Sequence, residues 1–271
     1  MGFVIRILFL CVEKRKRIDM VVREKKQEKI KKIASVIVCV LLLVVLLCIA
    51  LLYVYASDYY KSEVSAEDFI GNTAYTVEKF SQGIFIDGKG TEEAVIFYPG
   101  AKVEYTAYLP LCVKLVEQGV DCFLVEMPFH LAIFGMNKAE KIMEEYSYEN
   151  WYLAGHSLGG AMAANYVAEN AEKFAGLIML AAYPTKPLLS EELKVLSIYG
   201  NKDEVLNKEK LDAGAELVPE HYTEIGLGGA NHAGFANYGP QEGDGEATMD
   251  REKQQDMTVQ YIMKMVQTTY E

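Results

Sequence analysis

The sequence has few cysteines and no low-complexity tract, and these absences narrow the class of protein. Five of its 271 residues are cysteine, and they stand in no spacing typical of a metal site. Hydrophobic residues make up 51% and charged residues 24% of the chain, which excludes a disordered chain, a collagen-like chain and a small disulfide scaffold. The sequence therefore predicts a globular protein, long enough for one or two domains with a sizeable core.

Charge is absent between Lys32 and Asp58, where 25 consecutive residues carry none. In a helix with a rise of about 1.5 Å per residue, such a segment is about 37 Å long. It therefore exceeds the hydrocarbon layer of a bilayer, which is about 30 Å thick. We predict a transmembrane helix over residues 33–57. A cleaved signal peptide is the alternative, but its apolar region is normally about 7 to 15 residues long.

Basic residues are concentrated before this segment and are scarce after it. Residues 1–32 hold eleven basic and four acidic residues, a net charge of +7, and the rest of the chain carries −18. Cytoplasmic flanks of membrane spans are enriched in Lys and Arg, so we predict a single-pass protein of the cell membrane with a cytoplasmic tail over residues 1–32. Because topology accounts for the basic tail, no nucleic-acid partner is predicted. Met20 is an alternative start that would shorten the tail.

After a polar stalk over residues 58–72, the pattern changes to that of an alternating α/β domain over residues 73–271. Strands buried on both faces of a parallel sheet appear as continuous apolar runs, and parallel neighbours need helical crossovers. Such runs alternate here with helical stretches, which predicts a doubly wound, mostly parallel sheet. The predicted strands are 75–80, 84–86, 94–98, 122–127, 151–154, 177–182, 195–199 and 222–227, the first two being antiparallel, and the predicted helices are 105–118, 138–146, 158–170, 207–217 and 252–267.

Only two cysteines, Cys112 and Cys122, follow the predicted membrane span. Cys112 falls in a predicted helix, and Cys122 opens a predicted apolar strand. We therefore expect two free buried thiols instead of a disulfide between them.

Three loops at the ends of predicted strands carry the side chains of a serine-nucleophile site. The motif Gly155-His156-Ser157-Leu158-Gly159 follows one predicted strand and opens the next helix, as in a nucleophile elbow, whose glycines avoid clashes at a sharp turn. Asp203 follows the strand at 195–199, and His232 follows the strand at 222–227. Because the carboxyl ends of parallel strands meet at one edge of the sheet, the three side chains are predicted to converge there.

The order Ser157, Asp203, His232 is the order expected in the α/β-hydrolase fold. Residues 73–271 resemble a compact, capless member of that family, of the dienelactone-hydrolase-like kind. The resemblance implies that Ser157 is the nucleophile and that His232 is the general base and acid. It also implies that Asp203 orients the imidazole.

The resemblance further implies an oxyanion hole made of two backbone amides. Leu158, directly after the serine, would supply one amide, and Ala101, in the loop after the first core strand, would supply the other. The family usually has His-Gly in that loop, whereas this chain has Pro99 before its glycine. The amide of Lys102 is therefore the alternative second donor.

Other residues near these motifs are candidates for smaller roles. His130, in a loop at a strand end, and Phe235 and Tyr238, shortly after the catalytic histidine, are candidate substrate-binding residues, although simple packing explains the two aromatic residues equally well. His156 is predicted to be structural. Glu204 is the alternative to its neighbour Asp203 as the acid.

The predicted function is that of a membrane-anchored serine hydrolase with its catalytic domain outside the cell. It would act on a small ester or related acyl substrate and would need neither a cofactor nor a metal. Only residues 183–193 separate two core strands where many lipases insert a cap, so an open mouth is expected. An acyltransferase that uses the same triad and a non-catalytic surface adaptor are the alternatives.

Overall fold

A computed structural model describes residues 2–90 and 92–268 of the chain, which forms two compact units, Met1–Tyr55 and Ala56–Glu271. The first unit belongs to the α-helix α1, Gly2–Ser57. Within α1, the stretch Glu13–Ser57 is long and apolar enough, by length and composition, to cross a membrane. The predicted span, 33–57, is thus part of one continuous helix that also includes the basic tail.

In the part of the second unit that the structure describes, an eight-stranded sheet is accompanied by five further α-helices. The strands are β1 (Thr76–Phe80), β2 (Gly83–Asp87), β3 (Glu93–Tyr98), β4 (Asp121–Val125), β5 (Asn150–His156), β6 (Gly176–Leu180), β7 (Lys194–Gly200) and β8 (Tyr222–Leu227). The helices are α2 (Leu109–Val116), α3 (Lys138–Glu145), α4 (Leu158–Val167), α5 (Lys208–Gly214) and α6 (Arg251–Gln267).

Strand order and direction confirm the predicted doubly wound, mostly parallel sheet. Among the described residues the order is β1-β2-β4-β3-β5-β6-β7-β8, and β3 to β8 all run parallel. Only β2 is antiparallel to its neighbours β1 and β4. Because all parallel strands end at the same edge, the loops after β3, β5, β7 and β8 share that edge.

Apolar side chains cover both faces of the sheet. Along β3, Val95 and Phe97 enter the core that α2 and α6 complete, whereas Ile96 and Tyr98 enter the core that α3 and α4 complete. This alternation follows from the two-residue period of a strand. Both faces are therefore buried, which explains why the strands appear in the sequence as continuous apolar runs.

The predicted strands agree with the observed strands to within two residues at each end. Three helices begin or end differently. The stretch at 105–118 starts with a 3₁₀ turn, Tyr105–Tyr108, before α2, and the stretch at 207–217 ends in another, Ala215–Leu217, after α5. The helix predicted over 158–170 ends three residues earlier, at Val167. Cys112 and Cys122 are both free and buried, as predicted. The remaining 3₁₀ turns are Ala66–Phe69, Pro128–His130, Ala132–Phe134, Ala171–Lys173 and Ala233–Phe235.

The beginning of segment 58–72, which the sequence predicts to be a stalk, lies against the loop after β3. The Tyr60 N–H donates to the Lys102 carbonyl oxygen at 2.7 Å, and the Glu104 N–H donates to the Tyr60 carbonyl oxygen at 2.9 Å. The Glu63 N–H donates to the carbonyl oxygen of Asn237, in the segment after β8, at 2.8 Å. A free stalk would leave these backbone groups to water, so this part of the segment belongs to the fold.

Candidate active site

Ser157 lies on a sharp turn between β5 and α4. Its φ is 52° and its ψ is −124°, in a region that non-glycine residues seldom adopt. The turn also brings backbone segments very close together. A Cβ atom on Gly155 would lie 2.5 Å from the carbonyl carbon of Gly159, and one on Gly159 would lie 2.2 Å from the carbonyl oxygen of Tyr98. The two glycines are thus needed for the geometry of a nucleophile elbow.

Asp203 and His232 form a buried pair at the carboxyl ends of β7 and β8. The distance between Asp203 Oδ2 and His232 Nδ1 is 2.8 Å. The other carboxylate oxygen, Oδ1, accepts hydrogen bonds from the N–H groups of Val205 at 2.9 Å and Leu206 at 2.7 Å. Because a carboxylate only accepts, Nδ1 donates and Nε2 of the neutral imidazole is left as an acceptor. Glu204, the alternative acid, is exposed to solvent.

Ser157 and His232 line one cleft of about 230 Å³. Its remaining lining consists of Leu158, Ala161, Ala181, Ala182, Tyr183, Val205, Leu206 and Asn207. The three alanines among them leave room for a short acyl group. Within the described part of the chain, no hydrogen bond joins Ser157 to the imidazole. Such contacts are often loose in unliganded enzymes and tighten when substrate binds.

The backbone amides of Leu158 and Ala101 are available as donors, since neither donates to another residue that the structure describes. The Lys102 amide, the alternative donor, is already used, because it donates to the carbonyl oxygen of His130 at 2.8 Å. The geometry therefore favours Ala101 over Lys102 as the second oxyanion donor. Both remaining amides belong to loops at the carboxyl edge of the sheet.

Tyr108 holds the loop that carries Ala101, and sequence reasoning did not find it. Its hydroxyl accepts from the Gly100 N–H at 3.0 Å and lies 2.8 Å from Nδ1 of His156. Burial raises the pKa of Tyr108, so the phenol keeps its proton and shares a hydrogen bond with that nitrogen, and the direction of this bond is set by the tautomer of His156. Nothing local in the sequence indicates this role, because the partners lie 8 and 48 residues away.

His156 is buried behind the elbow, as its predicted structural role requires. Its ring centroid lies 4.5 Å from that of His232. Burial, and secondarily the neighbouring His232 ring, lower the pKa of His156 well below the usual value of histidine. His156 therefore stays neutral near pH 7 and adds no charge that would oppose protonation of His232.

The loop that carries His232 is supported by Asp244, which the sequence analysis also missed. The Asp244 carboxylate accepts from the N–H groups of His232 at 3.2 Å and Ala233 at 2.9 Å. Gln254 adds a second support, since its Oε1 accepts from the Asn231 N–H at 3.2 Å. Among residues 2–90 and 92–268, no group of three or more His, Cys, Asp or Glu side chains is arranged to hold a metal ion.

The three candidate substrate-binding residues lie away from the lining of the cleft. The half-buried His130 stacks on Tyr59, with ring centroids 4.0 Å apart. Phe235 is fully buried, because a short 3₁₀ turn directs its ring into the core. Tyr238 is also buried and packs 5.4 Å from the ring of Tyr60. Phe235 and Tyr238 thus serve the packing of the core.

Comparison with known proteins agrees with this architecture. The model of a family described as "Alpha/beta hydrolase family" matches residues 94–256, more than half of the chain. The chain belongs to the alpha/beta hydrolase family. This confirms the family and fold that the elbow and the order of the loops predict. Comparison of this alpha/beta hydrolase with curated proteins gives no match.

Three solved structures illustrate the fold that this alpha/beta hydrolase shares with known proteins. Dienelactone hydrolase from Anabaena variabilis has a TM-score of 0.55 at 12% identity, over 71% of this chain and 99% of that one. Est1E from Butyrivibrio proteoclasticus with bound ferulic acid has a TM-score of 0.50 at 14% identity, and the match covers 66% of this chain and 91% of Est1E. Monoacylglycerol lipase from Paleococcus ferrophilus has a TM-score of 0.51 at 17% identity, and the match covers 65% of this chain and 96% of the lipase. At such identities the likeness concerns the fold alone.

Proposed function

We propose that this alpha/beta hydrolase is a membrane-anchored serine hydrolase that cleaves a carboxylic ester or a related acyl substrate outside the cell. The observation that carries the proposal is the buried contact of 2.8 Å between Asp203 and His232, whose imidazole lines the same cleft as Ser157. The strained elbow and the two available amides support the same chemistry. The structures that share this fold include a dienelactone hydrolase and a monoacylglycerol lipase.

In the acylation step, Ser157 Oγ attacks the carbonyl carbon of the substrate while its proton passes to Nε2 of His232. Asp203 holds the imidazole in the required tautomer and stabilises the imidazolium. The amides of Leu158 and Ala101 donate to the oxyanion of the tetrahedral intermediate, each worth about 3 to 4 kcal/mol by analogy with measured cases. The intermediate then expels the alcohol, which takes the proton from His232, and an acyl-serine remains.

In the deacylation step, water replaces the alcohol. His232 Nε2 accepts a proton from the water molecule, whose oxygen attacks the acyl carbon of the acyl-serine. When the second tetrahedral intermediate collapses, the carbon–Oγ bond breaks and Ser157 recovers the proton from His232. The products are a carboxylic acid and the free enzyme, so the reaction needs no cofactor.

A fluorophosphonate probe tests this proposal directly, because it labels only an activated serine. The full-length protein should be labelled, and should hydrolyse a short p-nitrophenyl ester. The Ser157→Ala variant, verified as folded by circular dichroism, should lose both properties. Turnover retained in the folded variant would contradict the assigned nucleophile, and absence of labelling in the unsubstituted protein would favour a non-catalytic adaptor.

The proposed topology rests on the net charge of +7 before the uncharged segment 33–57. Protease added to intact cells should digest residues 58–271 and spare the basic tail. Tags at the two termini, detected by immunoblotting, would follow the two parts separately. Protection of the C-terminal tag would reverse the orientation, and a soluble form beginning near Ser57 would indicate a cleaved signal peptide.

A further inference from the structure

The residues directly after the uncharged segment are bound to the loops that surround the site. Asp58 Oδ2 lies 2.9 Å from Lys102 Nζ, and the Tyr60 N–H donates to the Lys102 carbonyl oxygen at 2.7 Å. Between them, the Tyr59 ring stacks on His130 with an interplanar angle of 26°. Three consecutive residues thus fasten the chain beside the loop that carries the proposed second oxyanion donor.

The short chain between the span and these contacts limits their distance from the membrane. The uncharged segment ends at Ser57, and an extended chain advances at most about 3.6 Å per residue. Tyr60 therefore lies within about 11 Å of the end of that segment. The headgroup region on each side of the hydrocarbon layer is itself about 5 to 8 Å deep. If residues 33–57 span the bilayer, a chain of this length keeps Tyr60, and the Lys102 loop hydrogen-bonded to it, close to the lipid surface.

The segment after β4 exposes a set of apolar side chains next to this attachment. We name it the apolar rim: Phe129, Ile133 and Phe134, which are 48%, 59% and 50% exposed. Phe129 has a φ of 56°, a strained value for an aromatic residue, and its ring meets that of Phe134 edge to face at 5.8 Å. Single exposed apolar residues are common, but a group of them at the carboxyl edge of the sheet, which the candidate site shares, indicates an interaction surface.

Two lysines accompany the apolar rim. Lys138 and Lys141 line a shallow cleft together with Ile133 and Phe134. Apolar and aromatic residues beside lysines are typical of surfaces that lie at the boundary between water and lipid, where the ammonium groups reach the headgroups. Because only two residues separate Tyr60 from the end of the uncharged segment of membrane length, lipid is favoured over an acidic protein as the partner of this surface.

We propose that the apolar rim lies in the lipid interface and that the mouth of the site faces the bilayer. The substrate would then be an acyl ester carried by a membrane lipid or dissolved in the membrane surface, rather than an ester taken from water. This inference rests on the proposed anchoring and hydrolase activity, and it adds the surface that meets the membrane and the source of the substrate.

Photo-crosslinking tests the contact without any need for turnover. Full-length protein with p-benzoylphenylalanine in place of Ile133 is reconstituted in phosphatidylcholine vesicles and irradiated. The matched control carries the same group at Ile70, which is 66% exposed and precedes β1, a strand that begins at the opposite edge of the sheet. Because only an inserted side chain meets acyl chains, lipid adducts should be at least about fivefold more abundant at position 133.

Equal yields at the two positions, or no adduct at position 133, would overturn the inference. Flotation of the same vesicles separates this result from failure of the anchor. Protein that does not float with the vesicles contradicts the proposed anchoring itself, whereas protein that floats without a crosslink at position 133 contradicts only the apolar rim.

Substrate preference provides the second test. The double variant Ile133→Ser with Phe134→Ser is compared with Ile70→Ser, each as the full chain in vesicles. Hydrolysis of a long-chain ester embedded in the vesicles should fall about tenfold relative to hydrolysis of a water-soluble ester, because the rim no longer inserts. An unchanged ratio would overturn the inference. Lack of turnover on the soluble ester by the unsubstituted protein would instead contradict the proposed hydrolase function.

Discussion

Asp203 and its neighbour Glu204 carry the same chemical group in different surroundings. The Asp203 carboxylate is buried and contacts the imidazole of His232, whereas Glu204 is exposed. We expect Asp203→Asn to lower kcat by about 10⁴-fold, because an amide at this position favours the wrong tautomer of the histidine. Glu204→Gln is the matched control and should change kcat by less than about twofold. Ester turnover by both purified variants decides between them, and a damaging effect of Glu204→Gln would reassign the acid.

Tyr108 and Tyr98 are two buried tyrosines with similar hydrogen bonds, and only Tyr108 bonds to the loop of the proposed oxyanion donor Ala101, through Gly100. Tyr108 accepts from the Gly100 N–H at 3.0 Å, whereas Tyr98 accepts from the Ala139 N–H at 3.0 Å and donates to the carbonyl oxygen of Met136 at 2.6 Å. Tyr108→Phe should lower kcat about tenfold or more with little change in KM, because the loop loses a positioning contact used mainly in the transition state.

Tyr98→Phe is the control for this prediction. Both substitutions leave buried polar groups unpaired, which costs about 1 to 3 kcal/mol of unfolding free energy per group. Thermal melting should therefore show similar losses of stability in the two variants. An equal loss of kcat in both would mean that Tyr108 acts through stability alone and not through position.

The elbow between β5 and α4 depends on glycine at the level of the element. A methyl group on Gly159 would lie 2.2 Å from the carbonyl oxygen of Tyr98, whereas one on Gly228 would meet nothing within 4 Å. We expect Gly159→Ala to reduce the unfolding free energy by about 1 to 3 kcal/mol or more, because α4 must move away from β3. Gly228→Ala should change it by no more than about 0.5 kcal/mol. Chemical denaturation of both variants in detergent measures the difference, and equal stability would contradict the close approach.

The net charge of −18 after residue 57 acts on the scale of the whole molecule. A field of this sign repels anionic ligands at low ionic strength. Local charges do little to offset it, because Lys102 is paired with Asp58 and burial lowers the pKa of His130. Neutral short-chain esters should therefore have a higher kcat/KM than matched esters that carry a carboxylate.

Added salt supplies the control, since screening reduces the Debye length from about 30 Å at 0.01 M to about 3 Å at 1 M. The difference in kcat/KM between the neutral and the anionic ester should therefore become smaller as salt is added. A preference for the anionic ester that weakens with salt would show that a basic pocket overrides the global field, and Lys102→Gln would then be the first variant to measure.

The sequence by itself determined the sheet and the order of the loops at its carboxyl edge. Strands such as β3 and β5 are buried on both faces, so their apolar runs mark them without knowledge of their neighbours. Ser157 follows β5 directly, and Asp203 and His232 lie in the short loops after β7 and β8, while parallel strands necessarily end at a common edge. The charge pattern around residues 33–57 likewise depends on composition alone.

Only the tertiary structure decided which side chains support the site and which simply pack. Tyr108 reaches Gly100 and His156 because α2 covers one face of the sheet, and no local pattern encodes that contact. Phe235 follows His232 in the sequence as a cleft residue would, but the direction of a side chain depends on the turn that carries it and on the neighbours that enclose it. Segment 58–72 has the composition of a polar stalk, yet its backbone hydrogen bonds to the Lys102 loop arise between residues about 40 positions apart, a distance over which only the folded chain determines contact.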